Sequence, residues 1–128
     1  MKKTILVVDD NPSMRGLLRM ILEGSGYQVI EAHHGWSAMA QMRVSLPDLV
    51  MTDMMMPTMD GDQLVRRLRS NSRTACVPIL VLSADPRAKE IASKADAVLG
   101  KPFNRAALLT TVNWLLEEDR ARDESTGT

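Results

Sequence analysis

Short apolar runs alternating with apolar residues at helical spacing are what most narrows the folds open to this chain. Ile5-Leu6-Val7-Val8 and Leu49-Val50-Met51-Thr52 are too short for helices and lack the strict apolar–polar alternation of half-buried strands. They read as strands buried on both faces, as in a parallel sheet. Between them Met14, Leu17, Leu18, Ile21 and Leu22 form the stripe of an amphipathic helix, with Asn11-Pro12 as cap and first position. Gly24 and Gly26 supply its stop. Tyr27 to Ala32 reads as a second strand, Trp36 to Leu46 as a second helix ended by Pro47, and Asp48 to Thr52 as the third strand. A helix from Gly61 to Ser70 turns Leu64, Val65 and Leu68 inward. Pro78 to Leu82 reads as the fourth strand, Ala88 to Lys94 as a short helix, and Ala97 to Leu99 as the fifth strand. The last helix starts near Asn104 and carries Leu108, Leu109, Val112, Leu115 and Leu116. Five strands alternating with five helices predict an α/β fold, a parallel sheet covered on both faces with right-handed crossovers.

A chain of 128 residues predicts one domain, here residues 1–118, followed by a charged, small-residue-rich tail or linker start over residues 119–128. With 45% hydrophobic and 25% charged residues, wholesale disorder is excluded. Sixteen basic and sixteen acidic residues cancel, so there is no global electrostatic footprint for nucleic acid or an anionic membrane. Cys76 stands alone, which rules out an internal disulfide and favours a reducing compartment. Lys2-Lys3 precede an apolar stretch too short for a signal peptide, and no run approaches membrane-spanning length. These features predict a soluble, cytoplasmic protein.

Acidic residues close two of the apolar runs. Asp9 and Asp10 follow the first, and Asp53 follows the third. Ligands of open α/β sheets sit just beyond the carboxyl ends of such strands. A single aspartate there would read as a helix cap or turn residue. Three at equivalent strand ends, if the strands are neighbours, put three carboxylates in one small volume. Their mutual repulsion needs compensation, and a hard divalent cation bound through oxygen supplies it.

Further along, Ser83-Ala84 follows the fourth strand and Lys101-Pro102-Phe103 the fifth. Together with Asp9-Asp10 and the segment Asp53-Met54-Met55-Met56-Pro57-Thr58-Met59-Asp60-Gly61, these motifs resemble the receiver domain of a two-component response regulator over roughly residues 4 to 118. The resemblance implies a doubly wound, flavodoxin-like receiver fold of the chemotaxis-regulator kind, with strand order 2-1-3-4-5. It also implies a phosphoacceptor in phosphorelay signalling that takes a phosphoryl group from a sensor histidine kinase or phosphotransfer protein onto Asp53. Mg2+ would be held by Asp10, Asp53 and the backbone carbonyl of Met55, with Asp9 acting through water. Lys101 would pair the carboxylate and then a phosphoryl oxygen, Ser83 would donate to another, and the Lys101-Pro102 peptide would be cis. Output would pass through protein contacts with a downstream protein. The domain would use neither nucleic acid nor membrane, and would not be a turnover enzyme, since its substrate is its own side chain.

Some positions depart from that pattern. Val98 stands three residues before Lys101, where the family usually carries an aromatic ring that swings inward on activation. The segment from Ser83 to Lys101 is roughly one helical turn shorter than is common in the family, so the fourth helix is expected to be stunted. Lys94 stands where a glycine often precedes the Ala-Asp pair. Val98 and the short fourth helix support a second reading, a phosphorylation-independent interaction module. A nucleotide-binding α/β domain is opposed by Asp9-Asp10-Asn11-Pro12, which is no Gly-rich phosphate loop. Met54, Met55, Met56 and Met59 read as an adaptable pocket cover or kinase-docking surface rather than a Cu(I) site. His33-His34 reads as a solvated loop pair, and Arg66, Arg67, Arg69 and Arg73 as a solvated basic face. Periodicity leaves Trp114 half-buried, with a partner surface as the alternative.

Overall fold

The structure, a computed structural model, describes residues 2–126. Elements alternate along the chain as β1 (Thr4–Val8), α1 (Pro12–Gly24), β2 (Gln28–Ala32), α2 (Gly35–Val44), β3 (Leu49–Asp53), α3 (Gly61–Arg69), β4 (Ile79–Ser83), α4 (Ala88–Ile91), β5 (Ala97–Gly100) and α5 (Arg105–Thr126). The strands form one parallel sheet in the order β2-β1-β3-β4-β5, so β1 and β3 are hydrogen-bonded neighbours. This is a doubly wound, flavodoxin-like fold, with the chain reversing its direction of travel across the sheet at β1 and β3.

Side chains of a strand alternate between faces, and each face of this sheet has its own core. Leu6, Val8, Val50, Ile79 and Val81 pack with Ala38 and Met42 of α2, Leu64, Val65 and Leu68 of α3, and Ala88 of α4. On the opposite face Ile5, Val7, Leu49, Met51, Leu80 and Leu82 pack with Leu18, Ile21 and Leu22 of α1 and with Leu108, Val112 and Leu115 of α5. Burying a Val, Leu or Ile side chain stabilises a fold by roughly 1.5–3 kcal/mol, so the central strands, apolar on both sides, anchor everything that their ends carry.

Local chemistry sets the element limits. Asn11 Oδ1 accepts the backbone N–H groups of Ser13 (2.9 Å) and Met14 (3.3 Å), and Pro12 begins α1. Asn104 Oδ1 accepts the N–H of Ala107 at 2.7 Å and starts α5. Asp60 and Gln63 form a reciprocal capping box on α3. His34, expected as a solvated loop residue, caps α2 instead: its Nδ1 accepts the Ser37 N–H at 3.0 Å.

The fourth helix is shorter than its predicted span and ends at Ile91. The chain beyond it is tied to β4 and α3. Asp96 accepts the Ile79 N–H at 2.8 Å and Arg69 Nη2 at 2.6 Å, while Arg69 Nε reaches the Lys94 carbonyl at 3.0 Å. Arg69 therefore belongs to the scaffold and not to a solvated face. Leu17, predicted to lie on the buried stripe of α1, is 41% exposed. The fifth helix continues through Asp119, where a tail was expected, as far as Thr126; residues 127 and 128 lie outside the described residues. No described helix is long and apolar enough to cross a membrane.

Two glycines carry opposite expectations. A Cβ on Gly61 would lie 2.5 Å from the Asp53 carbonyl oxygen and 2.9 Å from Met54 Cα, both backbone atoms that cannot rotate away. Gly61→Ala is therefore expected to destabilise by about 1–3 kcal/mol. A Cβ on Gly16, exposed on α1, meets nothing within 4 Å, so Gly16→Ala is expected to stabilise by roughly 0.5–1 kcal/mol. Urea denaturation of the two variants checks both signs.

Candidate functional site

The pairing of β1 with β3 places Val8 beside Thr52, so one step further along each strand Asp9 comes level with Asp53. Asp53 is the last residue of β3, and its neighbour across the sheet is Leu82. Ser83 ends β4 opposite Gly100 of β5, and the Lys101 N–H donates to the Ser83 carbonyl at 2.8 Å. Four adjacent strand ends thus deliver Asp9, Asp10, Asp53, Ser83 and Lys101 to one edge of the sheet, where ligands of open α/β folds bind.

Asp9 is buried and its N–H donates to the Ala32 carbonyl at 3.1 Å. Its Oδ1 accepts the Asn11 N–H at 2.9 Å, but its Oδ2 is buried without a hydrogen-bond partner among the described residues. Asp10 is exposed. Ligand-capable oxygens of Asp9, Asp10 and Asp53 lie within 4.8 Å of one another. Magnesium holds its ligand oxygens at about 2.0–2.1 Å and keeps several waters, so it can bridge such a set directly or through water. The orphaned Asp9 oxygen and the all-carboxylate donor set fit a hard divalent ion.

Burial, above all, raises the pKa of Asp9, and the charges of Asp53 and Asp10 push the same way. The Asn11 N–H and the Lys101 ammonium pull it down without cancelling the rise. Lys101 Nζ sits 2.9 Å from Asp53 Oδ1 in a largely buried ion pair. The Lys101-Pro102 peptide is cis. Ser83 is buried, and its Oγ accepts the Asp85 N–H at 3.0 Å while its own hydrogen remains free to be donated elsewhere.

The methionine loop divides into two kinds of residue. Met54, Met56 and Met59 are buried in the core, and Met55 alone is 76% exposed. A uniform methionine cover is therefore not what forms. The Met54 carbonyl accepts the Gly61 N–H at 2.8 Å, folding the loop back on itself beside Asp53. Thr58 has φ of 67°, an unusual value for a β-branched residue, and the Met59 N–H donates across it to the Pro57 carbonyl at 2.8 Å.

Sequence reasoning missed two supports of the site. Arg15 Nη1 donates to the Asp9 carbonyl at 2.6 Å and its Nε to Glu31 Oε1 at 3.1 Å, so α1 and β2 fix the end of β1. Gly61, recognised only as part of a motif, is where α3 meets the Asp53 backbone. The Asp-Gly pair at a helix start is a visible signal for the second. Nothing local signals the first, because its partners come from three elements. Beside the pocket, Met14, Leu17, Ala84, Lys101, Pro102 and Phe103 line an open, mainly apolar groove. Trp114 on α5 is 53% exposed, which resolves its position toward the surface.

Comparison with known proteins gives a consistent set of matches. The family model for the response regulator receiver domain matches residues 5–113. Protein PilH of Pseudomonas aeruginosa is 33% identical over 116 residues, covering 88% of this chain and 96% of PilH. The chemotaxis protein CheY4 of Vibrio cholerae superposes with a TM-score of 0.84 at 32% identity, over 90% of this chain and 99% of that one. The receiver domain of the sensor histidine kinase PA1611 from Pseudomonas aeruginosa, solved with a magnesium ion in its active site cleft, has a TM-score of 0.84 at 26% identity, covering 91% of this chain and 99% of that one. The chain spans 12%, 43% and 48% of the length of the first three curated relatives it matches.

The raised Asp9 pKa has a definite sign in stability. The folded protein keeps the Asp9 proton at pH values where the unfolded chain, near the ordinary carboxylate value of about 3.9, has lost it. Stability therefore falls as pH rises from there through the raised value. Asp9→Asn is expected to melt higher than the parent at pH 7 in metal-free buffer, by the several degrees that roughly 1 kcal/mol gives a domain of this size. That gap should close near pH 4. Thermal melts of EDTA-treated protein at the two pH values check it, and a gap independent of pH would contradict the role of the Asp9 charge.

Proposed function

We propose that this chain, which belongs to the response regulator receiver domain family of two-component signalling, accepts a phosphoryl group on Asp53 from a histidine kinase or phosphotransfer protein. The observation that carries the proposal is Asp53 itself. It is a strand-end carboxylate gathered with Asp9 and Asp10 and held 2.9 Å from Lys101. In this reading the body of the receiver is residues 1–118 and the protein is cytoplasmic.

Asp53 acts as the nucleophile. One carboxylate oxygen forms a bond to phosphorus as the phosphorus–nitrogen bond of phosphohistidine breaks, and the bonding pair leaves with the imidazole. Lys101 holds Oδ1, which leaves the other oxygen to react, and its compact ammonium then pairs a phosphoryl oxygen. The buried Ser83 hydroxyl donates to another. Asp10, Asp53 and the Met55 carbonyl would hold Mg2+ directly and Asp9 through water, as supported by the orphaned Asp9 oxygen and by the magnesium in the cleft of the PA1611 receiver domain. Bound there, the ion would neutralise charge on the transferring oxygens. Arg15 holds the Asp9 backbone in place, and Gly61 lets α3 start against the Asp53 carbonyl. No turnover substrate is needed, because the product stays on the chain.

The groove of Met14, Leu17, Pro102 and Phe103 suits docking of the phosphodonor, since it is apolar and adjoins Lys101. The half-buried Val98 and the four-residue α4 favour signalling through loops around the pocket and α1 over the α4–β5–α5 surface. The same two features favour a phosphorylation-independent module as the second reading. In that case Asp53→Asn would leave downstream binding unchanged.

Acetyl phosphate with magnesium is expected to add one phosphoryl group, read by intact mass, and Asp53→Asn to abolish the shift. Undiminished labelling of that variant would overturn the assignment. Lys101→Arg keeps the charge but replaces a compact ammonium by a planar fork. It is expected to slow labelling at least tenfold, the equivalent of about 1.4 kcal/mol, and a wild-type rate would reduce Lys101 to a surface charge.

A further inference from the structure

We propose that the face formed by α2 and α3 is a docking surface for an acidic segment of a partner protein, separate from the phosphorylation pocket. Across this face run two adjoining depressions that share Arg67. One is floored by Met39, Met42 and Leu68 and rimmed by Arg43, Arg67 and Arg73. The other lies between Trp36, Met59, Gln63, Arg66 and Arg67.

Charge is the first argument for the occupant. The chain as a whole carries no net charge, yet this face gathers four arginines. Arg66 is paired with Asp62 at 3.0 Å. Arg43, Arg67 and Arg73 have no ion-pair partner among the described residues, whereas Arg15, Arg19, Arg69 and Arg87 each do. Arg73 is further fixed in place because its Nη1 donates to the Met42 carbonyl. Guanidinium groups left unpaired around a concave surface are suited to carboxylates, which they bind with two donors at a time.

Preorganisation is the second argument. Trp36 is 49% exposed, and the Arg67 guanidinium lies 4.7 Å from its ring centroid. Stacking holds both side chains in one arrangement before any partner arrives, which lowers the ordering cost of binding. Trp and Arg are the residues that most often carry interface energy. The half-buried Met39 and the apolar floor beside the arginines fit an apolar side chain within an otherwise acidic segment.

Nucleic acid is the weaker occupant. Four arginines, one already neutralised, offset few phosphates. The single aromatic ring has one face covered by Arg67, which leaves no stacking platform for successive bases.

The Trp36 end of the surface also touches the loop that leaves Asp53. Thr58 and Met59 line the depression there, and Met59 packs so closely on the start of α2 that a Cβ on Gly35 would lie 2.4 Å from its sulfur. A partner seated on this face therefore meets the segment that begins at the phosphoacceptor strand.

The test uses the full chain and a fluorescein-labelled peptide of glutamates with interspersed leucines, followed by anisotropy and by amide chemical-shift mapping. Saturable binding is expected, weakening with salt, with shifts concentrated on residues of α2 and α3. Arg43→Glu with Arg67→Glu is expected to weaken it roughly tenfold or more, while labelling of Asp53 by acetyl phosphate stays at the parent rate. Trp36→Ala, which keeps every charge, is expected to weaken binding as well. No binding up to about 1 mM peptide, equal binding by the charge-reversed variant, or shifts confined to the groove of Leu17 and Phe103 would overturn the proposal. Tighter binding of a single-stranded oligonucleotide than of the peptide would overturn the choice of partner.

Discussion

Negative charge crowded at the carboxyl ends of β1 and β3 is the constraint on which the rest of this structure depends. Three carboxylates lie within 4.8 Å of one another, and Lys101 meets only one of them, at 2.9 Å. The Asp9 oxygen without a partner carries the remaining mismatch. A folded chain tolerates such an arrangement only when the elements that create it are stable for other reasons. Here those reasons are the apolar strands, packed from both sides by helices. The unresolved negative charge is what makes the edge receptive to a cation.

Several contacts hold the crowded edge in register. Arg15 ties the Asp9 carbonyl to Glu31 of β2, so the outer strand and the first helix both restrain β1. Gly61 brings α3 against the Asp53 backbone, closer than any side chain would allow. The Lys101 N–H on the Ser83 carbonyl joins the other two strand ends. None of these touches the position where a phosphoryl group would sit. Each fixes a residue of the crowded edge, and placement to a fraction of an ångström is most of what phosphoryl transfer asks of a protein.

Much of this was legible in the sequence, for a physical reason. A parallel strand buried on both faces must be apolar throughout, so it ends visibly when the first charged residue appears. That made Asp9, Asp10 and Asp53 conspicuous, and the helical stripes between them set the alternation. What could not be read depends on partners far apart in the chain. Arg69 looks like one of a row of surface arginines, but Asp96 and three backbone carbonyls make it a strut between α3 and the β4–β5 region. Leu17 fits the inward stripe of α1 by spacing, yet Phe103 and Pro102 from the β5–α5 loop meet it at an open groove. His34 gave no sign of capping α2, since imidazole is a less common cap than a hydroxyl or carboxylate. The methionines of the β3–α3 loop were indistinguishable by type, and only the fold separates three inward ones from exposed Met55.

The magnitude of the response available to a phosphoryl group limits how a signal could leave this domain. Moving a two-state element from 1:99 to 99:1 takes about 5.5 kcal/mol of differential interaction. In the proposed reading one hydrogen bond from Ser83 to a charged phosphoryl oxygen would supply roughly 1.5–3 kcal/mol, less than that amount. A ring in place of Val98 could add its own repacking to the balance; the half-buried valine has little to repack, and α4 is a single turn. In the proposed reading the remainder has to come from groups nearer Asp53. The loop after Asp53 is the candidate, since Thr58 already sits at positive φ and Met59 is wedged against Gly35 at the start of α2. A small shift of that loop changes its close contact with the start of α2, and packed surfaces rearrange in steps and not by degrees. In the proposed reading the shortest physical route from Asp53 to a surface therefore runs toward Trp36 and Arg67, not toward Val98.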